Sequence, residues 1–265
     1  SGTTAKPKGV LINQKSLVNV VNHAINYYDI NHTSRSFQFS SIAFDIFAEE
    51  IFPYLLSGAS IYIYDENFRN INYQVNKCTH LSSTPNVLDS LKYSNSLKVV
   101  ISGGSKCTRS LVNKWSNNCK FINSYGPTEC TIYCINTTLS IDKKIVIGKP
   151  IYNTSCYIIK NNSLTPINIM GEIWVGGIGV SPGYINNKQL TKEKFIEFNG
   201  ERVYKTGDYG KWTENGDLEL YGRMDNQIKM NGIRIELGEI ESIIKNILEI
   251  DECVVLFEKN KLYCF

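Results

Sequence analysis

The chain has 265 residues, room for one large domain or two smaller ones, and its 42% hydrophobic and 20% charged residues exclude wholesale disorder. Its 28 Lys and Arg against 25 Asp and Glu leave a scattered net charge of +3, which argues for neither a nucleic-acid partner nor a membrane surface. No apolar run approaches the ~18–20 residues of a membrane span, no signal-peptide pattern opens the chain, and eight cysteines without a CxxC pair beside three scattered histidines point to reduced thiols in the cytoplasm.

The opening Ser1-Gly2-Thr3-Thr4-Ala5-Lys6-Pro7-Lys8-Gly9 reads as a loop with no strand before it. A helix capped by Asn13 follows, with Leu17, Val21, Ala24, Ile25 and Tyr28 at helical spacing. A second amphipathic run over 44–56 aims Ile46, Phe47, Ile51, Tyr54 and Leu55 at a core and ends at Ser57-Gly58. Short strands are predicted at 60–64, 79–82, 98–102 and 120–123, with helices near 84–93 and 107–117. Strands spaced by helices of this length predict a largely parallel α/β sheet covered on both faces.

From about residue 130 the texture changes. Strand patterns at 131–138, 155–160, 171–176, 202–205 and 217–221 predict an antiparallel, barrel-like lobe. A second shift follows Gly222, where an amphipathic helix over 236–248 leads to a hairpin around Lys259-Asn260-Lys261. Both ends have the look of a piece of a longer polypeptide.

Four segments carry candidate chemistry. Backbone N–H groups of the small residues at 1–9, the hydroxyls of Ser1, Thr3 and Thr4, and the charge of Lys8 suit a phosphate, although a solvated turn has the same composition. Asn123-Ser124-Tyr125-Gly126-Pro127-Thr128-Glu129 follows a predicted strand, at the strand end where α/β sheets bind ligands. There Tyr125 can stack on a base, Thr128 can donate to a phosphate and Glu129 can offer Mg²⁺ a hard oxygen; a capped turn is the alternative. Thr206-Gly207-Asp208 offers a carboxylate for ribose hydroxyls or a common turn pair, and 222–229 is either a joint between domains or a solvated linker.

Together with SIAFDIFAEEIF and GEIWVGGIGVSPGY, and in their order along the whole chain, these segments resemble the signature motifs of the adenylate-forming enzymes, specifically the adenylation domains of nonribosomal peptide synthetases. The fold so implied is the second half of the large lobe, α/β sheet layers plus a distorted antiparallel β-barrel, followed by the start of a small α+β C-terminal domain. The boundaries expected are 1–222 for the large lobe (α/β to about 129, barrel over 130–222) and 223–265 for hinge and small domain.

The resemblance assigns roles residue by residue. Ser1, Gly2, Thr3, Thr4 and Lys8 would cradle the ATP phosphates, and Asn123, Ser124, Tyr125 and Gly126 the adenine. Thr128 would meet the α-phosphate and Glu129 the Mg²⁺, Asp208 and Arg223 the ribose, Asp225 would be the hinge, and Lys229 follows it. Lys8, Thr128 and Glu129 would carry the catalytic work, which is positioning and charge neutralisation. The implied reaction activates an amino acid with ATP and hands it to the phosphopantetheine thiol of a carrier protein, with the rest of the synthetase as partner and no covalently bound cofactor.

The amino-acid pocket implied is Asp45, Ile46, Glu49, Ser82, Ile101, Gly103, Ser124, Ile132 and Tyr133. Asp45 would take the α-ammonium; without the motif, a helix cap would be its plainer reading. Glu49, four residues on, shares its helix face and would take a side-chain ammonium, a lining similar to that of domains selecting lysine or ornithine. The alternative turns Glu49 to solvent or to Ser82.

Several positions depart from the family pattern. Ala5 replaces a loop glycine, Lys205 an arginine and Tyr209 a leucine, and Asn231 stands where a basic residue is frequent. The catalytic lysine of the small domain has no counterpart, since Lys245, Lys259 and Lys261 lack its context, so little adenylation is expected of this segment alone. Rival readings are an acyl-CoA synthetase, a D-alanine–carrier-protein ligase, or a non-catalytic nucleotide- or carrier-binding module.

Overall fold

The computed structural model describes residues 8–67, 70–223, 227–230, 233–248, 250, 252–258 and 261–265. The first part of the chain alternates helices α1 (Gln14–Tyr27), α2 (Ile46–Leu56), α3 (Ile71–Val75), α4 (Pro85–Ser90) and α5 (Arg109–Trp115) with strands. These are β1 (Arg35–Gln38), β2 (Ser60–Ile63), β3 (His80–Ser83), β4 (Val99–Ser102), β5 (Lys120–Tyr125), β6 (Ile135–Leu139) and β7 (Lys149–Pro150). They form one seven-stranded sheet in the order β2-β1-β3-β4-β5-β6-β7, parallel as far as β5 and antiparallel beyond. The segment at 131–138, read as the start of the barrel lobe, instead gives β6 to this sheet.

Alternation along the strands sorts their side chains between two cores. Leu81, Val100 and Phe121 pack with Leu111 and Trp115 of α5 on one face. Val99, Ile101 and Ile122 pack with Val20 and Ala24 of α1, Tyr28 and Tyr54 on the other. The same alternation turns Ser82, Ile101 and Ser124 toward α1 and α2, above the C-terminal ends of three parallel strands, where an α/β sheet presents its ligand crevice.

Helix α2 departs from its predicted orientation. It buries Glu49, Glu50, Pro53 and Tyr54, while Leu55 and Leu56 stand 57% and 70% exposed. The reason is polar satisfaction. Glu50 accepts hydrogen bonds from the Phe39 and Ser40 backbone N–H groups, the Ser40 hydroxyl and the Gln38 amide, so its carboxylate ties down the segment leading into the helix.

A six-stranded antiparallel sheet follows, built from β8 (Thr154–Lys160), β9 (Ser163–Leu164), β10 (Gly171–Gly177), β11 (Phe195–Phe198), β12 (Glu201–Trp212) and β13 (Leu218–Arg223), with α6 (Lys188–Lys194) before β11. Its order is β11-β12-β10-β8-β9, with β13 on β12. It meets the first sheet through an apolar cluster that includes Tyr125, Ile135, Ile173, Tyr204 and Leu218, and through the Gly148–Leu218 bridge. β14 (Gln227–Met230) and β15 (Ile233–Glu236) form a hairpin, followed by helix α7 (Leu237–Leu248) and the hairpin of β16 (Val255–Glu258) and β17 (Lys261–Cys264). Among the described residues no helix is long and apolar enough to cross a membrane, and every described cysteine is free, although the Cys253 and Cys264 sulfurs lie 3.2 Å apart.

Candidate functional site

A cavity of about 660 Å³ opens between the two sheets. Asp45, Ile46, Glu49, Ser82, Ile101, Gly103, Ser124, Ile132 and Tyr133 all line it, and so do Lys8, Gly126, Thr128, Glu129, Asp208 and Arg223. Residues as far apart in the chain as Lys8 and Arg223 thus share one volume, with the expected amino-acid set on α2, the first sheet and the loops at its strand ends, and most of the described nucleotide set beside it.

At one end the charges are paired inside the protein. Asp208 and Arg223 face each other across β12 and β13, with the guanidinium Nη1 3.3 Å from the Asp208 Oδ1. Tyr125 donates to the other oxygen, Oδ2, at 2.5 Å. Burial and the adjacent Asp208 charge push the Tyr125 phenol well above its ordinary value, so it serves as a donor. Glu129, buried in a short 3-10 turn (Thr128–Cys130), accepts from the Tyr184 hydroxyl at 2.7 Å. The Tyr184 ring lies 6.0 Å beneath the Lys8 ammonium, and the Val10–Tyr184 bridge and the Leu11 N–H to Gly183 carbonyl bond pin this stretch to residues 183–185.

Ser1, Gly2, Thr3, Thr4 and Asp225 lie outside the described residues, as do Ala5 and Asn231. Lys229 lies on β14, opposite Arg234. Asn123 and Tyr125 do not line the cavity: the Asn123 amide donates to the Val146 carbonyl, and the Tyr125 ring is in the apolar cluster between the sheets. The Thr-Gly-Asp segment is not a chain-reversing turn. It continues β12 through a left-handed Gly207 (φ +73°), held by the Thr206 hydroxyl on the Ile173 carbonyl.

Two aspects of the backbone shape the wall around Ile132 and Tyr133. Thr131 and Ile132 both have left-handed φ, +61° and +69°, which β-branched side chains rarely adopt, and the Thr131 hydroxyl holds the bend by donating to the Gly179 carbonyl. Gly126 lies so close beneath that a Cβ there would sit 2.3 Å from the Tyr133 Cα, so only glycine fits.

At the other end Asp45 begins α2 in helical conformation and makes no side-chain cap hydrogen bond, which removes the capping role as its explanation. Glu49 is only 4% exposed. Its Oε1 accepts from the Tyr28 hydroxyl at 2.7 Å and its Oε2 from Ser82 at 3.2 Å. Burial pushes the Glu49 carboxyl up to about 7, with the like charges of Glu50 and Asp45 adding to the rise and the two hydroxyl donors opposing it. Tyr28, missed in the sequence because it reads as one more apolar position of α1, is fully buried behind the cavity, and its ring stacks on Tyr133 at 6.2 Å.

The donor set fits Mg²⁺ in the way that ion is usually held by proteins, through one or two carboxylates with substrate phosphates and water completing the shell. Glu129 brings a buried carboxylate to the cavity wall, and Lys8 lines the same cavity.

The family model for AMP-binding enzymes matches residues 1–185. Bacitracin synthase 3 of Bacillus licheniformis is 41% identical over 273 residues, covering 98% of this chain and 4% of its own length. The Vibrio cholerae adenylation domain AlmE, solved with glycyl-adenosine-5'-phosphate, superposes with a TM-score of 0.88 at 26% identity over 97% of this chain and 53% of AlmE. Holo-PA1221, a protein with adenylation and PCP domains solved with a vinylsulfonamide inhibitor, gives 0.88 at 24% identity over all of this chain and 50% of that one, a likeness of fold. The chain thus spans about half of these solved proteins and a small part of the curated synthase.

Proposed function

The chain belongs to the AMP-binding enzyme family, as part of an adenylation domain of the nonribosomal-peptide-synthetase kind, and on that premise we propose that its cavity is where ATP activates a basic amino acid, lysine ahead of ornithine, as an aminoacyl-AMP. One observation carries this reading: Asp45 and Glu49, a turn apart on α2, open into the same 660 Å³ volume as Thr128, Glu129, Asp208 and Arg223. The glycyl adenylate held by AlmE supports a cleft in which amino acid and nucleotide adjoin.

In this reading the substrate carboxylate attacks the α-phosphorus of ATP, and pyrophosphate leaves. Asp45 binds the α-ammonium and Glu49 the side-chain ammonium, so the two carboxylates fix both ends of the substrate. Thr128 and Lys8 contact phosphate oxygens, and Asp208, already oriented by Arg223 and Tyr125, accepts from the ribose. Mg²⁺ on Glu129 would neutralise developing phosphate charge. The acyl group then passes to the phosphopantetheine thiol of a carrier protein within the same synthetase. We assign 1–222 to the large lobe and 223–265 to hinge and small domain, with Asp225 as the pivot.

A buried carboxylate whose described partners are neutral hydroxyls is a costly element unless a cation joins it, which is the physical case for a basic side chain. The test is amino-acid-dependent ATP–pyrophosphate exchange with the complete adenylation domain that contains this segment. Lysine or ornithine is expected to give the strongest exchange; stronger stimulation by leucine or phenylalanine overturns the basic-substrate reading.

A further inference from the structure

We propose that Tyr28 is a specificity-determining positioning residue: its hydroxyl, with that of Ser82, clamps the Glu49 carboxyl group and aims it at the cationic end of the substrate. This rests on the basic-substrate reading above and adds a residue that touches no substrate.

The clamp is built from one strand face. His80 and Ser82 are two residues apart on β3, so both project toward α1 and α2. The His80 Nε2 bonds the Tyr28 carbonyl at 3.0 Å, fixing the residue that ends α1, while its Nδ1 is engaged by the Thr79 hydroxyl at 2.8 Å. The Tyr54 ring packs edge-on against His80 at 5.4 Å. The backbone of Tyr28 and the hydroxyl of Ser82 are thereby referenced to the same strand, and the two carboxylate oxygens are each met by one donor.

Each carboxylate oxygen has lone pairs beyond the one its hydroxyl partner occupies, and these remain for an ammonium. Fixing the carboxylate beforehand removes the rotamer cost of ordering it on binding. Two hydroxyl donors also oppose the cost of burying its charge, which the like charges of Asp45 and Glu50 on the same helix increase. The other groups facing Glu49 are Tyr54 of α2 and Tyr133 of the loop after β5, both phenols that burial and the Glu49 charge keep protonated.

The experiment is a double-mutant cycle in the complete adenylation domain, with Tyr28→Phe, Glu49→Gln and the pair, read by lysine-dependent ATP–pyrophosphate exchange between pH 6 and 9. Tyr28→Phe keeps the ring on Tyr133 and removes one charge-assisted hydrogen bond, so the lysine KM is expected to rise roughly tenfold at neutral pH. kcat should change less than about twofold, and the acid limb of kcat/KM should move to higher pH. In the Glu49→Gln background the same change should leave the lysine KM within about twofold, because there is no longer a charge to hold.

An equal loss from Tyr28→Phe in both backgrounds, or a lysine KM and acid limb indistinguishable from wild type, overturns the positioning role. If Tyr28→Phe does not yield folded protein, Ser82→Ala takes its place in the cycle, and additivity there overturns the clamp. A Glu49→Gln variant that retains full lysine selectivity overturns instead the substrate reading on which the clamp depends.

Discussion

The two ends of the cavity solve the same problem, a buried carboxylate, in opposite ways. Asp208 is paired within the protein with Arg223 and further held by Tyr125. Glu49 has hydroxyls as its described hydrogen-bond partners, and its carboxyl is raised to about 7 by burial. One end brings its own cation, and the other is met by neutral hydroxyls. Charge balance, rather than the number of acidic residues, thus distinguishes the two ends, which the proposed function assigns to nucleotide and to amino acid.

The sharpest way to break this contrast is Glu49→Gln, which keeps the shape and removes the charge. Lysine-dependent kcat/KM in the exchange assay should fall on the order of 1,000-fold, about 4 kcal/mol. A fall below tenfold erases the difference between the two ends.

A linkage measurement comes next in size. The folded-state pKa of Glu49 lies above its ordinary 4.5, at about 7. The ligand-free protein therefore binds this proton more tightly than the unfolded chain does. The resulting stabilisation is fully present below pH 4.5, declines as pH rises, and is gone above about pH 7. Denaturant unfolding of wild type against Glu49→Gln, at pH 5 and pH 8, should differ in its pH dependence by about 2.5 kcal/mol.

Smaller effects follow at the opposite end and behind the carboxylate. Asp208→Ala strands the Arg223 guanidinium, which should cost about 2 kcal/mol of stability by denaturant unfolding and weaken AMP binding by calorimetry. Ser82→Ala removes one donor to Glu49, and the lysine KM should rise about fivefold, near 1 kcal/mol.

Asp45, Ile46 and Glu49 were legible together because they share one helix start within a signature segment, and Ser124, Thr128 and Glu129 because they share another such segment, whereas Ser82, Ile101, Gly103, Ile132 and Tyr133 lie outside such segments and came from the resemblance alone. The parts that escaped reading are those whose state is imposed by neighbours. β1 has no apolar run, yet it pairs with β2 on one side and β3 on the other. β12 runs through Gly207, which reads as a turn residue but sits beside register shifts where the strand bends. The inward turn of Glu50 cannot be found from periodicity, since its explanation lies in four donors from residues 38–40. Tyr28 escaped for the same reason: a tyrosine on an apolar helix stripe looks like packing until the atom at its hydroxyl is known.

The bridge between Val10 and Tyr184 has a mechanical corollary. Lys8 rides on one side of that splice, and the phenol that holds Glu129 rides on the other. The bridge therefore ties the segment carrying Lys8 to the segment carrying the phenol that holds Glu129. In the proposed function, where both groups face the triphosphate, this splice would set the distance between the opposite charges across the cleft.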